Sequence, residues 1–210
     1  MKAKLPAWAR IIIAFSVASI VGVLYTAIRS VSLLQQAARE SLDPSKQKAI
    51  AHHVADFPDP LPAGFSIDKA LSIAIPLVPS SGKDILVVKH VPDNLSIQLF
   101  SDPLSGQVET LEPREYLDRA MEVGGGSYLT PKIQAVKSKG QTTIAGQEMA
   151  YIVGEFKDPK DVDERKVEGM IGCICVKEKK KTILITALEP FGTSFNLDTV
   201  MTLLKSAKSF

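Results

Sequence analysis

Residues 11–28, IIIAFSVASIVGVLYTAI, run for 18 positions without a charge between Arg10 and Arg29. No other feature limits the fold as strongly. A helix of that length covers about 27 Å, close to a hydrocarbon core of about 30 Å. In lipid every backbone N–H and C=O must be satisfied within the segment, so a single span must be helical. Trp8 precedes the run at headgroup depth. Ser16, Ser19 and Thr26, its polar residues, have hydroxyls able to bond back to the preceding turn. The sequence therefore predicts an uncleaved, single-pass membrane anchor through residues 11–28. A signal peptide has a shorter apolar core and a small-residue cleavage site, and Ala27-Ile28-Arg29-Ser30 is a poor one.

Lys2, Lys4 and Arg10 precede the run and no acid occurs before Glu40, which favours a cytoplasmic N-terminus and an extracytoplasmic remainder. Ala14, Ala18, Gly22 and Thr26 recur every fourth residue, a stripe that allows close approach of a second helix and hence a homodimer.

Residues 1–30 hold four basic and no acidic side chains, so the remaining 21 basic and 23 acidic residues give the rest of the chain a charge of about −2. That near-neutral balance lacks the electrostatic footprint of a nucleic-acid binder. With 45% hydrophobic residues the chain is globular in composition, and the roughly 150 residues left after the anchor and its stalk are enough for one core. The expected organisation is an anchor and stalk over 1–42, a helix and Pro-rich linker over 43–60, and an α+β domain over 61–210.

In the second part, Asp43 caps a helix with Pro44 at its first position. That helix runs to Phe57 with Ile50, Val54 and Phe57 on one face, and Pro58, Pro60 and Pro62 end it. Strand patterns then follow at 70–78, 84–91 and 95–100, the last with Leu95, Ile97 and Leu99 alternating with polar neighbours, and together they predict an antiparallel meander. Glu112-Pro113 opens a helix whose buried side is Leu117, Ala120 and Met121, and Gly124-Gly125-Gly126-Ser127 breaks it. Further strands are expected at 133–136, 142–145 and 149–156, with a turn at Gly146-Gln147. A hairpin over 169–176 and 182–188 follows, around a lysine-rich exposed turn at 177–181. The last helix has Asn196 as cap, Asp198 at the positive end of its dipole, and Phe195 and Val200 as a staple. Leu197, Val200, Met201 and Leu204 form its apolar stripe. The expected fold is thus α+β: a transmembrane helix, then a mainly antiparallel sheet covered by helices.

Chemistry-bearing residues are few. Cys173 and Cys175 fall on the same face of a strand, where a bridge between them is strained, and no further ligands lie nearby in sequence for a metal. They read as free buried thiols. His52 and Asp56 stand at i, i+4 on a helix, two ligands at most, and His90 sits near a strand end. Asp161, Asp163 and Glu164 belong to a charged loop. Asn94-Leu95-Ser96 fits the glycosylation triplet. Neither a nucleophile elbow, a zincin helix, a P-loop nor a dinucleotide fingerprint occurs. No catalytic, cofactor-binding or metal-binding residue is assigned, and no cofactor is expected.

The order of elements resembles one family. Pro62-Ala63-Gly64-Phe65 opens a meander ending LSIQLFSDP, and one helix follows. A turn of form Ile144-Ala145-Gly146-Gln147 leads to a long return strand, a hairpin, and a last helix ending Ser206-Ala207-Lys208-Ser209-Phe210. Over residues 61–210 this is similar to the PsbP-like α/β/α sandwich proteins. The resemblance implies a binding or assembly role and carries no site residue. The expected function is a membrane-tethered, non-enzymatic binding or scaffold domain with an unidentified protein partner. Its alternatives are an enzyme with a site assembled from distant residues and a cytoplasm-facing anchored domain. A cleft holding His90, Cys173 or Cys175 beside carboxylates favours the enzyme, and a closed core with an exposed apolar patch favours binding.

Overall fold

The computed structural model describes residues 43–73, 83–103, 112–124, 131–157, 166–188 and 194–210, with isolated positions 32, 35, 36 and 39. The strands are β1 (Phe65–Ile73), β2 (Lys83–His90), β3 (Leu95–Pro103), β4 (Ile133–Ile144), β5 (Gln147–Lys157), β6 (Lys166–Val176) and β7 (Lys181–Leu188). The helices are α1 (Pro44–Val54), α2 (Pro113–Gly124) and α3 (Leu197–Ser206). All seven strands join one sheet in the order β1-β2-β3-β7-β6-β5-β4, and every pairing is antiparallel. Two meanders, β1–β3 and β4–β7, meet where Leu99 pairs with Ile185.

Strict alternation divides the core between the two faces of the sheet. Leu86, Val88, Leu95, Ile97, Leu99, Met170, Ile174, Ile183 and Ile185 point to one face, where α1 and α3 cover them. Phe100, Ile152, Phe156, Ile171, Cys173, Cys175 and Leu184 point to the other, beneath Leu117 of α2. β6 and β7 lie inside the sheet and are covered on both sides. Nearly every one of their residues is buried, and their sequences read as continuous apolar runs.

The expected anchor needs correction. Among the described residues no helix is long and apolar enough to cross a membrane. The longest described helix has 12 residues, about 18 Å, and it carries a polar face. The 11–28 run and its stripe of Ala14, Ala18, Gly22 and Thr26 lie outside the described residues. The α+β, transmembrane-led architecture gives way, among the described residues, to a mostly β fold in which seven strands carry three short helices besides the helical positions 32, 35, 36 and 39. One cause is β4. Expected as two short strands at 133–136 and 142–145, it is a single strand, because the intervening polar residues 137–141 sit on an exposed sheet edge where polarity is permitted. It bulges between Ile133 and Ala135 and again between Val136 and Ser138, and the other edge strand, β1, bulges between Ile67 and Lys69. Bulges and the exposed Lys137 and Lys139 blunt the outer edge against further pairing. The first strand occupies Phe65–Ile73, starting five residues ahead of the expected 70–78, and residues 74–78 of that range lie outside the described residues.

The helix caps are those expected. Asp43 accepts from the Ser45 N–H at 2.9 Å, and Asn196 accepts from the N–H groups of Asp198 and Thr199. The β4–β5 turn falls at Ala145-Gly146, both with positive φ (51° and 77°), as a two-residue hairpin loop requires. α1, expected ahead of a linker, buries Ile50, Ala51 and Val54 in the same core as α3. The segment after it is tied to residues 207–210: the Asp56 N–H donates to the Ser209 carbonyl and the Lys208 N–H to the Asp56 carbonyl, both at 2.8 Å. Outside the described residues lie the glycines at 125–126 with Ser127, the acids at 161, 163 and 164, and the side chains of Ala120 and Met121.

Candidate functional site

Three places gather the chemistry-bearing residues. The first is the corner where β2 turns into β3. His90 Nδ1 lies 2.6 Å from Asp93 Oδ1 across the turn. The same Oδ1 accepts from the Leu95 N–H at 3.3 Å, and the Thr199 hydroxyl on α3 donates to Oδ2 at 3.4 Å. Burial raises the Asp93 pKa, but the hydrogen bonds from His90 and the Leu95 N–H and the nearby imidazole charge outweigh it, and the carboxyl ends below its ordinary range. The other side of the imidazole faces Gly64 and Phe65, and the side chain stays partly exposed. A Cβ on Gly64 would stand 2.8 Å from Nε2, and the Phe65 ring lies 4.5 Å from the imidazole centroid. Gly64 has φ of +86°, a conformation glycine adopts without strain, and its carbonyl accepts from the Val91 N–H at 2.8 Å. The His90–Asp93 pair thus ties three segments together: the turn, the residues leading into β1 through His90, and the first turn of α3 through Asp93.

The second place is the sheet face under α2. Cys173 and Cys175 project there, both buried and unbridged, with sulfurs 4.0 Å apart. Burial drives the Cys173 thiol up, and the contact between the two sulfurs holds the Cys175 thiol below the usual range against its own burial. Thr182 is the register partner of Cys175 on β7 and is fully buried. Its Oγ1 has no hydrogen-bond partner among the described residues, although it lies beside both Cys175 and the Tyr116 hydroxyl. Burial, with the negative charge of Asp102 adding to it, pushes Tyr116 up to about 12. An exposed ion pair, Lys177 to Glu112 at 3.0 Å, flanks the cluster.

The third place is a pocket where α1 meets the proline-rich segment. It has a volume of about 50 Å³, and Ala51, Ala55, Phe57, Pro58, Leu61 and Ile67 supply its apolar lining. Lys48, His52 and Asp59 bring polar groups to it. Lys48 pairs with Asp59 at 2.8 Å and His52 with Asp56 at 3.1 Å, both exposed.

Of the residues singled out in the sequence, the structure joins His52 to Asp56 as the helical spacing indicates, and sets Cys173 beside Cys175. It does not bring His52, His90 and the cysteines together. Among the described residues no group of three or more His, Cys, Asp or Glu is placed to hold a metal. Asp93, Thr182 and Tyr116 escaped the sequence reading. A His-x-x-Asp spacing spanning a turn was a legible signal for Asp93, whereas the neighbourhood of Thr182 depends on strand register. The large apolar side chains exposed among the described residues are Val91 and Val136, on opposite halves of the sheet, and they form no continuous patch.

Comparison of the chain with protein-family models and with curated proteins finds no match.

Proposed function

We propose that this chain is a non-enzymatic binding domain that engages a protein partner by taking one apolar side chain into the pocket between α1 and the proline-rich segment. What supports this reading is the pocket itself: an apolar floor of Ala51, Ala55, Phe57 and Ile67, with a cation and an anion, Lys48 and Asp59, at its margin. Its volume of about 50 Å³ is far below the roughly 300–1,000 Å³ of pockets that enclose a small-molecule ligand. It matches a single anchoring side chain in a polar surround, the usual centre of a protein interface. The His90–Asp93 pair speaks for anchoring and not for proton transfer, because Gly64 and Phe65 pack against the imidazole away from Asp93.

The test is a photo-crosslinking amino acid at exposed position 48 of the full chain, activated in cells. A discrete protein adduct is expected from position 48. It should vanish with Leu61→Arg at the pocket edge, in a variant that keeps its melting temperature, and none should form from position 139 on the opposite sheet face. An adduct indifferent to Leu61→Arg, or no adduct at all, would overturn the reading. So would a substrate turnover that His90→Ala abolishes in a folded protein.

A further inference from the structure

We propose that Cys173 and Cys175 form a buried binding site for a soft monovalent cation, Cu(I), with Thr182 as the third donor. The sulfurs are 4.0 Å apart, about twice the 2.05 Å of a disulfide bond. Two metal–thiolate bonds of about 2.3 Å spanning that gap meet at about 120°, the trigonal angle. The pair is therefore spaced for an ion between the sulfurs.

The second observation is the orphaned hydroxyl. Thr182 is fully buried, pairs in register with Cys175, and leaves Oγ1 without a hydrogen bond among the described residues. Buried polar atoms are nearly always satisfied, and an orphan calls for an explanation such as a missing ion. Beside Cys175 and next to the Tyr116 hydroxyl, that oxygen is the donor nearest to hand for the remaining position.

Donor type and number select the ion. Zinc in protein sites takes four ligands, three from protein at a minimum, and no group of three or more His, Cys, Asp or Glu is available among the described residues. Thiolates at low coordination number favour a soft ion, Cu(I) above all. Binding breaks two S–H bonds, forms two Cu–S bonds and releases two protons to solvent, with no change of oxidation state. The resulting centre carries one negative charge and lies near the Lys177–Glu112 ion pair, whose two charges act on Cys175 in opposite senses.

The test is an anaerobic titration of the reduced full-length protein with the Cu(I)–bicinchoninate complex, followed by X-ray absorption at the copper edge. One equivalent should transfer, with two sulfur scatterers near 2.2–2.3 Å. Cys173→Ser and Cys175→Ser should each weaken binding at least 100-fold. Thr182→Val should weaken it about tenfold while leaving the metal-free protein folded. The proposal falls if wild type takes no copper from the chelator, if the double cysteine variant takes as much, or if Zn(II) binds as tightly as Cu(I). Should a variant fail to fold, the sulfur shell of the wild-type copper complex decides: two sulfurs support the site, and none sinks it.

Discussion

Lys181 Nζ lies 2.6 Å from the carbonyl oxygen of His53 and 3.1 Å from that of Val54, so a side chain at the start of β7 closes the C-terminal end of α1. The last carbonyls of a helix have no partner within it, and a cation there meets the negative end of the helix dipole. Burial, with the charge of Lys179 adding to it, lowers the Lys181 pKa from 10.5 to about 8. Lys181→Met should cost about 1–2 kcal/mol at pH 7, read from urea midpoints. The pH trend has a definite sign. Between about pH 8 and 10.5 the unfolded chain binds the proton that the folded chain has released, so wild-type stability rises relative to Lys181→Met across that window. A gain of about 1 kcal/mol is expected, below the full linkage value because the ammonium keeps part of its solvent contact. A flat difference from pH 7 to 10 would contradict the burial of this amine.

Asp93 predicts the opposite trend at the acid end. Its carboxyl is held below the ordinary range by its partners. Its contribution is complete above the unfolded value and disappears as pH falls through the folded one. Asp93→Asn should destabilise by about 1–2 kcal/mol at neutral pH. The gap to wild type should close below about pH 4, as followed by thermal melts from pH 7 to 3.

Gly64→Ala should combine two penalties, a left-handed backbone and a collision with His90 Nε2 at 2.8 Å. About 1 kcal/mol is expected from the backbone and a further cost from the contact. In a His90→Ala background only the backbone part should remain, so a double-mutant cycle should show a coupling of at least about 0.5 kcal/mol. Additive effects would mean that the imidazole does not press on Gly64.

Val54 is fully buried at the end of α1. Val54→Ala should lower the stability of the whole sheet by roughly 2 kcal/mol, within a single unfolding transition. If α1 merely preceded the core, the variant would sit within about 0.5 kcal/mol of wild type, the range of an uninvolved surface site.

Much of this fold was written locally. Asp43 and Asn196 announce their helices because a cap needs only the next two or three residues. The inward residues of β3, Leu95, Ile97 and Leu99, follow from period-two alternation, and His52–Asp56 follows from one helical turn. What depended on distant partners was not legible. Pro58, Pro60 and Pro62 suggested a linker, yet the helix before them packs into the core because Lys181 and residues 207–210 hold it there. The polar residues 137–141 broke the strand pattern, yet they extend β4 because β5 pairs with residues 138–141 and a bulge absorbs Lys137. The Cys173–Cys175 pair was visible as a shared face. The unpaired Thr182 beside it belongs to the register of β6 with β7, which no local pattern encodes.

The junction of the two meanders bears on how the chain acquires its shape. β3 finds its second neighbour only when β7 arrives, since Ser96 pairs with Leu188. During synthesis the first hairpins emerge with one rim of β3 bare until most of the polypeptide has left the ribosome. Pairings so remote in sequence make for slow folding and a prolonged exposure of sticky strand edges. Nascent chains halted before residue 181 should therefore depend on chaperones, and those extended past residue 188 should escape them.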